Sequence, residues 1–268
     1  MKSAVWLPLF DELAEPRVVA GLAADAEAAG WDGFFVWDQL AWRPPITSVA
    51  DPWVCLAAAA TVTSRIALGP MVTPLARRRP SKVARETVSL DRLSGGRLIL
   101  GVGVGGDGFA REYSRTGEPV DDRTRADMLD ESLEILRAAW TGEPVIHRGQ
   151  HHLVDDMTFS PTPVRGDIPI WVAAFPGSLR PLRRAARHDG FFPVNLTSAD
   201  QLAEAVARVA DLREDSSRPY DVAIERQYGA DPAPWIAAGA TWVLTDVDPA
   251  TMRLDAVHGM IREGPRPE

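Results

Sequence analysis

Three stretches share one order of a helix end, a turn and an uninterrupted apolar run: AAGWDGFFV (28–36), AARHDGFFPV (185–194) and AAGATWVLT (237–245). An apolar run without polar alternation fits a strand buried on both faces, the condition of a parallel sheet covered by helices. Their apolar runs fall at 33–37, 190–194 and 241–245, and similar runs at 3–9, 65–72, 97–103, 168–175 and 220–224 complete eight strand signals. Helical signals fall between them: 16–29, from Pro52 after Asp51, from Ser81 as a cap to Gly95-Gly96, 123–140 with Asp122 as its cap, 178–187, 199–213, 232–238 and from about 249. Residues 143–167 break the rhythm with turn residues and short apolar pieces, as a hairpin or extended connector would. Eight such alternations in 268 residues favour an α/β fold, a single (β/α)8 TIM barrel with short loops spanning 1–268, over an open doubly wound sheet.

Composition narrows the function classes. The net charge of −8 disfavours a nucleic-acid partner, because phosphate-backbone binding needs clustered Lys and Arg. The one basic run, Arg77-Arg78-Arg79, reads as a solvated loop. No segment reaches the roughly 20 apolar residues that span a bilayer, and the apolar start is followed at once by Asp11 and Glu12 without a cleavage pattern. Cys55 is the only cysteine, which rules out an intrachain disulfide and fits a reducing, cytoplasmic setting. His147, His151 and His152 with Asp155 and Asp156 lie in the irregular connector and lack tight ligand spacing, so they read as a solvated hairpin and no metal is expected.

RLILGVGVGGDG (97–108) contains G-x-G-x-x-G at Gly101, Gly103 and Gly106. A dinucleotide fingerprint needs a helix to start directly after the loop, because the helix N-terminus holds the pyrophosphate. Here Gly117 and Pro119 postpone the next long helix. Two readings stay open: glycines that let the strand pack or turn, or side chains removed at 101, 103 and 105 so that a flat ligand can lie at the end of barrel strand four.

The run from RIALGPMV through LDRLSGGRLILGVGVGG, with AAGWDGFFVWDQL before it and IPIWVAAFPGSLRPLRRAARHDGFFPV after it, resembles the bacterial luciferase-like family of flavin-dependent oxidoreductases. That family includes FMN-dependent monooxygenases and enzymes of the deazaflavin coenzyme F420. The resemblance implies a ring bound in the barrel mouth against a non-prolyl cis peptide near Pro70-Met71-Val72, with Thr73 close to the ring. It places Gly103, Gly105 and Gly106 beside the ring or its ribityl chain. Phe175, Pro176, Gly177 and Ser178 then take the phosphate at a helix N-terminus, whose free N–H groups suit an anion; Ser178 as a plain N-cap is compatible with that.

Asp38 matches the Asp of the Asp-His pair in the deazaflavin branch, and Gln39 stands where many members carry His. Glutamine cannot relay a proton near neutral pH. Asp107 lies next to the position where some deazaflavin enzymes carry an acid, and is the candidate proton donor. Val104 stands where FMN luciferases place a phosphate-binding arginine, which favours coenzyme F420 over FMN. The usage of Arg over Lys, with Lys2 and Lys82 the only lysines, points the same way through a GC-rich genome. Trp6, Trp42 and Arg43, with Trp37, are candidates for an apolar substrate wall with one cation at its rim.

The expectation is a redox enzyme that moves a hydride, or inserts one oxygen atom, into a small-molecule substrate, with no membrane role; the family often forms homodimers. Two rivals remain: a degenerate barrel that binds a flavin or other phosphorylated molecule without turnover, and an unrelated barrel enzyme of phosphorylated substrates.

Overall fold

The computed structural model describes residues 1–108 and 110–265; the other four positions of the expected 1–268 domain lie outside the described residues. The elements follow in the order β1 (Lys2–Leu7), α1 (Pro16–Ala28), β2 (Gly33–Val36), α2 (Pro52–Val62), β3 (Ala67–Pro70), β4 (Thr73–Pro74), α3 (Pro80–Leu93) and β5 (Leu100–Gly103). Next come α4 (Glu112–Thr116), α5 (Asp122–Trp140), β6 (Pro144–Arg148), β7 (Leu153–Thr158), β8 (Ile170–Ala174), α6 (Leu179–Ala186) and β9 (Gly190–Pro193). The chain finishes with α7 (Ala199–Leu212), β10 (Asp221–Gln227), α8 (Ala233–Ala237), β11 (Trp242–Asp246) and α9 (Leu254–Glu263).

Nine strand segments form one parallel sheet in the order β3-β2-β1-β11-β10-β9-β8-β5-β4. The third barrel strand is broken in two: β3 pairs with β2 and β4 pairs with β5. A parallel bridge from Leu68 to Leu98 ties β3 to the run entering β5, so the nine segments make eight staves of a TIM barrel. The break falls at Met71-Val72, whose peptide is cis. The antiparallel pair β6–β7 stands outside this sheet, in the stretch where the rhythm was expected to break.

Strand alternation divides the apolar side chains between two cores. An outer set, including Val5, Phe34, Leu100, Val172, Ile224 and Val243, packs under the helices. An inner set fills the barrel: Ala4, Trp6, Phe35, Met71, Trp171, Phe192, Ala223, Trp242 and Leu244.

The alternate glycines of β5 contribute space rather than a ligand slot. A Cβ on Gly101 would lie 2.5 Å from the Pro70 carbonyl oxygen and 2.6 Å from the Met71 sulfur, and one on Gly103 would lie 2.9 Å from Val72 Cγ2. The room they clear is filled by the broken third strand. Gly105 departs from the expected pattern: it follows the strand with φ +74°, and a Cβ there would strike the Tyr113 hydroxyl.

Several expected boundaries are corrected. Ser81 does not cap α3; Arg79 holds that position and Pro80 opens the helix, where its missing N–H costs nothing. Asp121 rather than Asp122 caps α5, its carboxylate accepting from Thr124 N at 2.7 Å. The last helix starts at Leu254, after a turn in which Asp248 accepts from Ala250 N. Strands β10 and β11 run past Ile224 and Thr245, where the sequence signal ended. No helix among the described residues is long and apolar enough to cross a membrane.

Candidate active site at the barrel mouth

The C-terminal ends of the strands open into a cavity of about 440 Å³. Its wall brings together seven of the expected site residues: Trp6, Asp38, Gln39, Trp42, Arg43, Met71 and Val72. Trp37 and Phe192 extend the aromatic surface. The Trp6 and Trp37 rings lie 5.1 Å apart and tilted by 42°, and Phe192 meets Trp6 edge-on at 5.5 Å. Trp6 Nε1 donates to the Met71 carbonyl oxygen at 2.8 Å, tying the first strand to the break in the third. Rings held in this way give a rigid apolar wall with little rotamer freedom left to lose on binding.

Asp38 is fully committed to the protein. Its buried carboxylate accepts from Thr73 Oγ1 at 2.9 Å, Arg77 Nη2 at 2.8 Å, and Arg78 through Nε and Nη2. Arg77 also pairs with Glu112, whose carboxylate accepts the Leu40 and Ala41 amides. With its amide turned so that Nε2 faces Glu112, Gln39 donates to both Glu112 oxygens at 2.9 and 3.2 Å.

The expectation of a solvated arginine run is therefore overturned for Arg77 and Arg78, while Arg79 is exposed as expected. The Arg77 side chain is 3% exposed and that of Arg78 17%. Their guanidinium groups staple the loop after β2 to the turn after β4, a geometry suited to forked donors. The hairpin histidines are likewise less solvated than expected: His152 is buried against Ser132, and Glu131 accepts the amides of Gln150, His151 and His152.

Thr73 sits behind the cavity wall with its hydroxyl spent on Asp38. Gly103 backs Val72, and Gly106 is exposed with open space around it. Asp107 accepts the Tyr113 and Ser114 amides and so anchors the start of α4. Those contacts with Ser114 and Tyr113 hold its carboxyl below the usual range, the opposite of what a proton donor needs.

Phe175, Pro176 and Gly177 line a neighbouring recess of about 340 Å³ with Gln201, Glu204 and Arg208 of α7. Asn195, with φ +59°, lines both this recess and the mouth cavity. Ser178 is the N-cap of α6, but its side chain makes no capping bond, and the first turn of α6 carries no acid. The recess therefore offers a helix N-terminus and one arginine to an anion, with the Glu204 carboxylate opposing them.

Two carboxyls that the sequence reading missed complete the mouth: Glu225 of β10 and Asp246 of β11. Alternation places both on the barrel interior, above Ala223 and above Leu244. Burial and then the nearby Glu225 charge push the Asp246 carboxyl up to about 7, the Val247 amide opposing them and Asp248 adding a lesser push. Burial also raises Glu225, with Arg226 opposing. Asp246 is half-buried at the cavity wall, which removes part of the water that would stabilise its charge, while Glu225 stands more open beside it.

A sequence model of the luciferase-like monooxygenase family matches residues 5–234. The chain belongs to that family. It is an oxidoreductase by that membership. A relative in Intrasporangium calvum named F420-dependent glucose-6-phosphate dehydrogenase is 30% identical over 257 residues, covering 91% of this chain and 74% of that one. The coenzyme F420-dependent tetrahydromethanopterin reductase from Methanopyrus kandleri superposes with a TM-score of 0.77 at 19% identity, covering 98% of each chain. The oxygenating constituent of 3,6-diketocamphane monooxygenase from Pseudomonas putida, solved with FMN, superposes at 0.69 with 21% identity over 86% of this chain and 68% of that one. At those identities the two structures share the barrel with this chain, and nothing finer follows.

Proposed function

We propose that the protein is a coenzyme F420-dependent oxidoreductase that moves a hydride between the deazaflavin and a small organic substrate at the barrel mouth. The carrying observation is the pairing of an aromatic cavity with an anion-suited recess through one residue, Asn195. A planar ring with a phosphorylated tail has both requirements, and the residues fit it. Trp6, Met71 and Val72 supply an apolar wall for the ring, while Gly177 and Arg208 line the recess that would take the phosphate.

Bound F420 supplies a two-electron hydride carrier, so the protein contributes position, dryness and charge. Asp38 and its two arginines hold the loop after β2 and the turn after β4 in fixed relation, which keeps Gln39 and the Met71-Val72 wall in place. Gln39 positions through Glu112 and carries no proton. The name of the Intrasporangium relative supports F420 over FMN, as does Val104 in place of an arginine.

Titration of the purified chain with F420 and with FMN, read by tryptophan fluorescence, tests the assignment. The expected result is at least about tenfold tighter binding of F420, some 1.4 kcal/mol. A tenfold preference for FMN reassigns the enzyme to the monooxygenase branch. Cofactor that binds but is neither reduced nor oxidised by any substrate would make the barrel a binding protein.

A further inference from the structure

The interior face of the barrel is apolar on nearly every stave at and below the mouth: Trp6, Phe35, Met71, Trp171 and Phe192 carry it around the ring. On β10 and β11 the same inward positions end in carboxyls, Glu225 two residues above Ala223 and Asp246 two above Leu244. Asp246 is the register partner of Trp6 on the adjacent parallel strand, so an aromatic face and an acid flank one volume.

The charges around this sector do not cancel. Asp38, across the cavity, is neutralised by Arg77 and Arg78. Glu225 and Asp246 make no ion pair among the described residues. Of the charged groups facing them, Asp248 adds negative charge, and Arg226, its guanidinium 4.8 Å from the Trp235 ring, lines an adjoining recess with both carboxyls and offsets part of their charge without an ion pair. Arg43 lies at the rim near Trp42, its guanidinium 6.0 Å from that ring. An anionic substrate group entering here meets like charge in a partly desolvated site, where repulsion is strong, while a donor N–H or O–H finds unsatisfied acceptors.

We propose that Glu225 and Asp246 are the specificity-determining residues of the mouth, and that they select a hydroxyl- or amine-bearing substrate without negative charge and reject sugar phosphates. This rests on the mouth being the substrate cavity, as in the function proposed above. It separates the chain from relatives named for glucose 6-phosphate. Half-burial and the Glu225 charge hold the Asp246 carboxyl up to about 7, so the selection strengthens as the pH rises and Asp246 ionises.

Three probes of one shape and different charge test it on the full chain without cofactor: cyclohexylammonium, cyclohexanol and cyclohexanesulfonate, each titrated against tryptophan fluorescence at pH 5.5 and pH 8. The expected order at pH 8 is ammonium, then alcohol, then sulfonate, with about a fivefold or larger span. The span narrows at pH 5.5, and it falls below about twofold in Glu225→Gln and Asp246→Asn combined, whose shapes are conserved. Thermal melts of each variant confirm that it is folded. Equal binding of sulfonate and ammonium by the wild type at pH 8, an unchanged order and span in the combined variant, or no saturable binding of any probe overturns the proposal. Because the readout needs no cofactor, its failure leaves the F420 titration standing. A failed F420 titration likewise leaves the charge order readable.

Discussion

Arg78 grips Asp38 at two points, its Nη2 lying 2.8 Å from both carboxylate oxygens while Nε reaches one of them at 3.1 Å. With Arg77 on the same carboxylate, one buried acid is held by two cations from the turn after β4. The arrangement accounts for an acid in the wall of the mouth cavity whose carboxylate oxygens are all engaged by the protein.

Asp38→Ala leaves two guanidinium groups partly buried without their acceptor. The expected cost is about 3–5 kcal/mol of unfolding free energy, as for one partner removed from a buried pair. Denaturant titration measures it. A loss below 1 kcal/mol would mean that water replaces the carboxylate and that the network does not organise the loop.

Gly101→Ala and Gly106→Ala separate packing glycines from loop glycines. The first drives a methyl against the Pro70 carbonyl and the Met71 sulfur, and should cost about 2–3 kcal/mol through overpacking. The second meets open space and should fall within about 0.5 kcal/mol of wild type. Comparable losses at both positions would restore a fingerprint role to the loop as a whole.

Asp246→Asn should change stability with a defined pH sign. Its carboxyl is raised to about 7 in the folded chain, from an ordinary value of 3.8. Below the ordinary value both states are protonated and the acid has no effect. As pH climbs from there through 7 the unfolded state ionises first, so folding is progressively penalised. The amide removes that penalty: it should stabilise by on the order of 2 kcal/mol at pH 8, after discounting for water in the cavity, and by nothing near pH 3.5. Glu225→Gln removes one of the charges that raise Asp246, and should move the window to lower pH. Melting curves across pH 3.5–8 check both statements, and a pH-independent difference would refute them.

Asp107→Ala tests the division between anchoring and proton transfer. It should lower the melting temperature by loosening the start of α4, since it removes the acceptor of the Tyr113 and Ser114 amides. The pH profile of cofactor reduction should keep its shape. Loss of one limb of that profile would return Asp107 to the chemistry.

Sequence alone determined the order of elements, because each buried parallel strand is written as a short apolar run closed by turn residues, and eight such runs leave a barrel as the simplest closure. It also marked Trp6, Trp42, Met71 and Gly177, which carry either the family motifs or an unmistakable aromatic signal. Tertiary structure decided the rest. The runs at 220–224 and 241–245 were read as ending where the residues turned polar, and so stopped one residue short of Glu225 and of Asp246. In an ordinary sheet a polar residue ends a buried strand; here the strand continues to the mouth, and the position is interior without being core. The basic run Arg77-Arg78-Arg79 misled for the complementary reason. Charge in a sequence reads as solvent exposure, and only the return of Asp38, some forty residues earlier in the chain, to the same turn supplies the partner that lets Arg77 and Arg78 be buried.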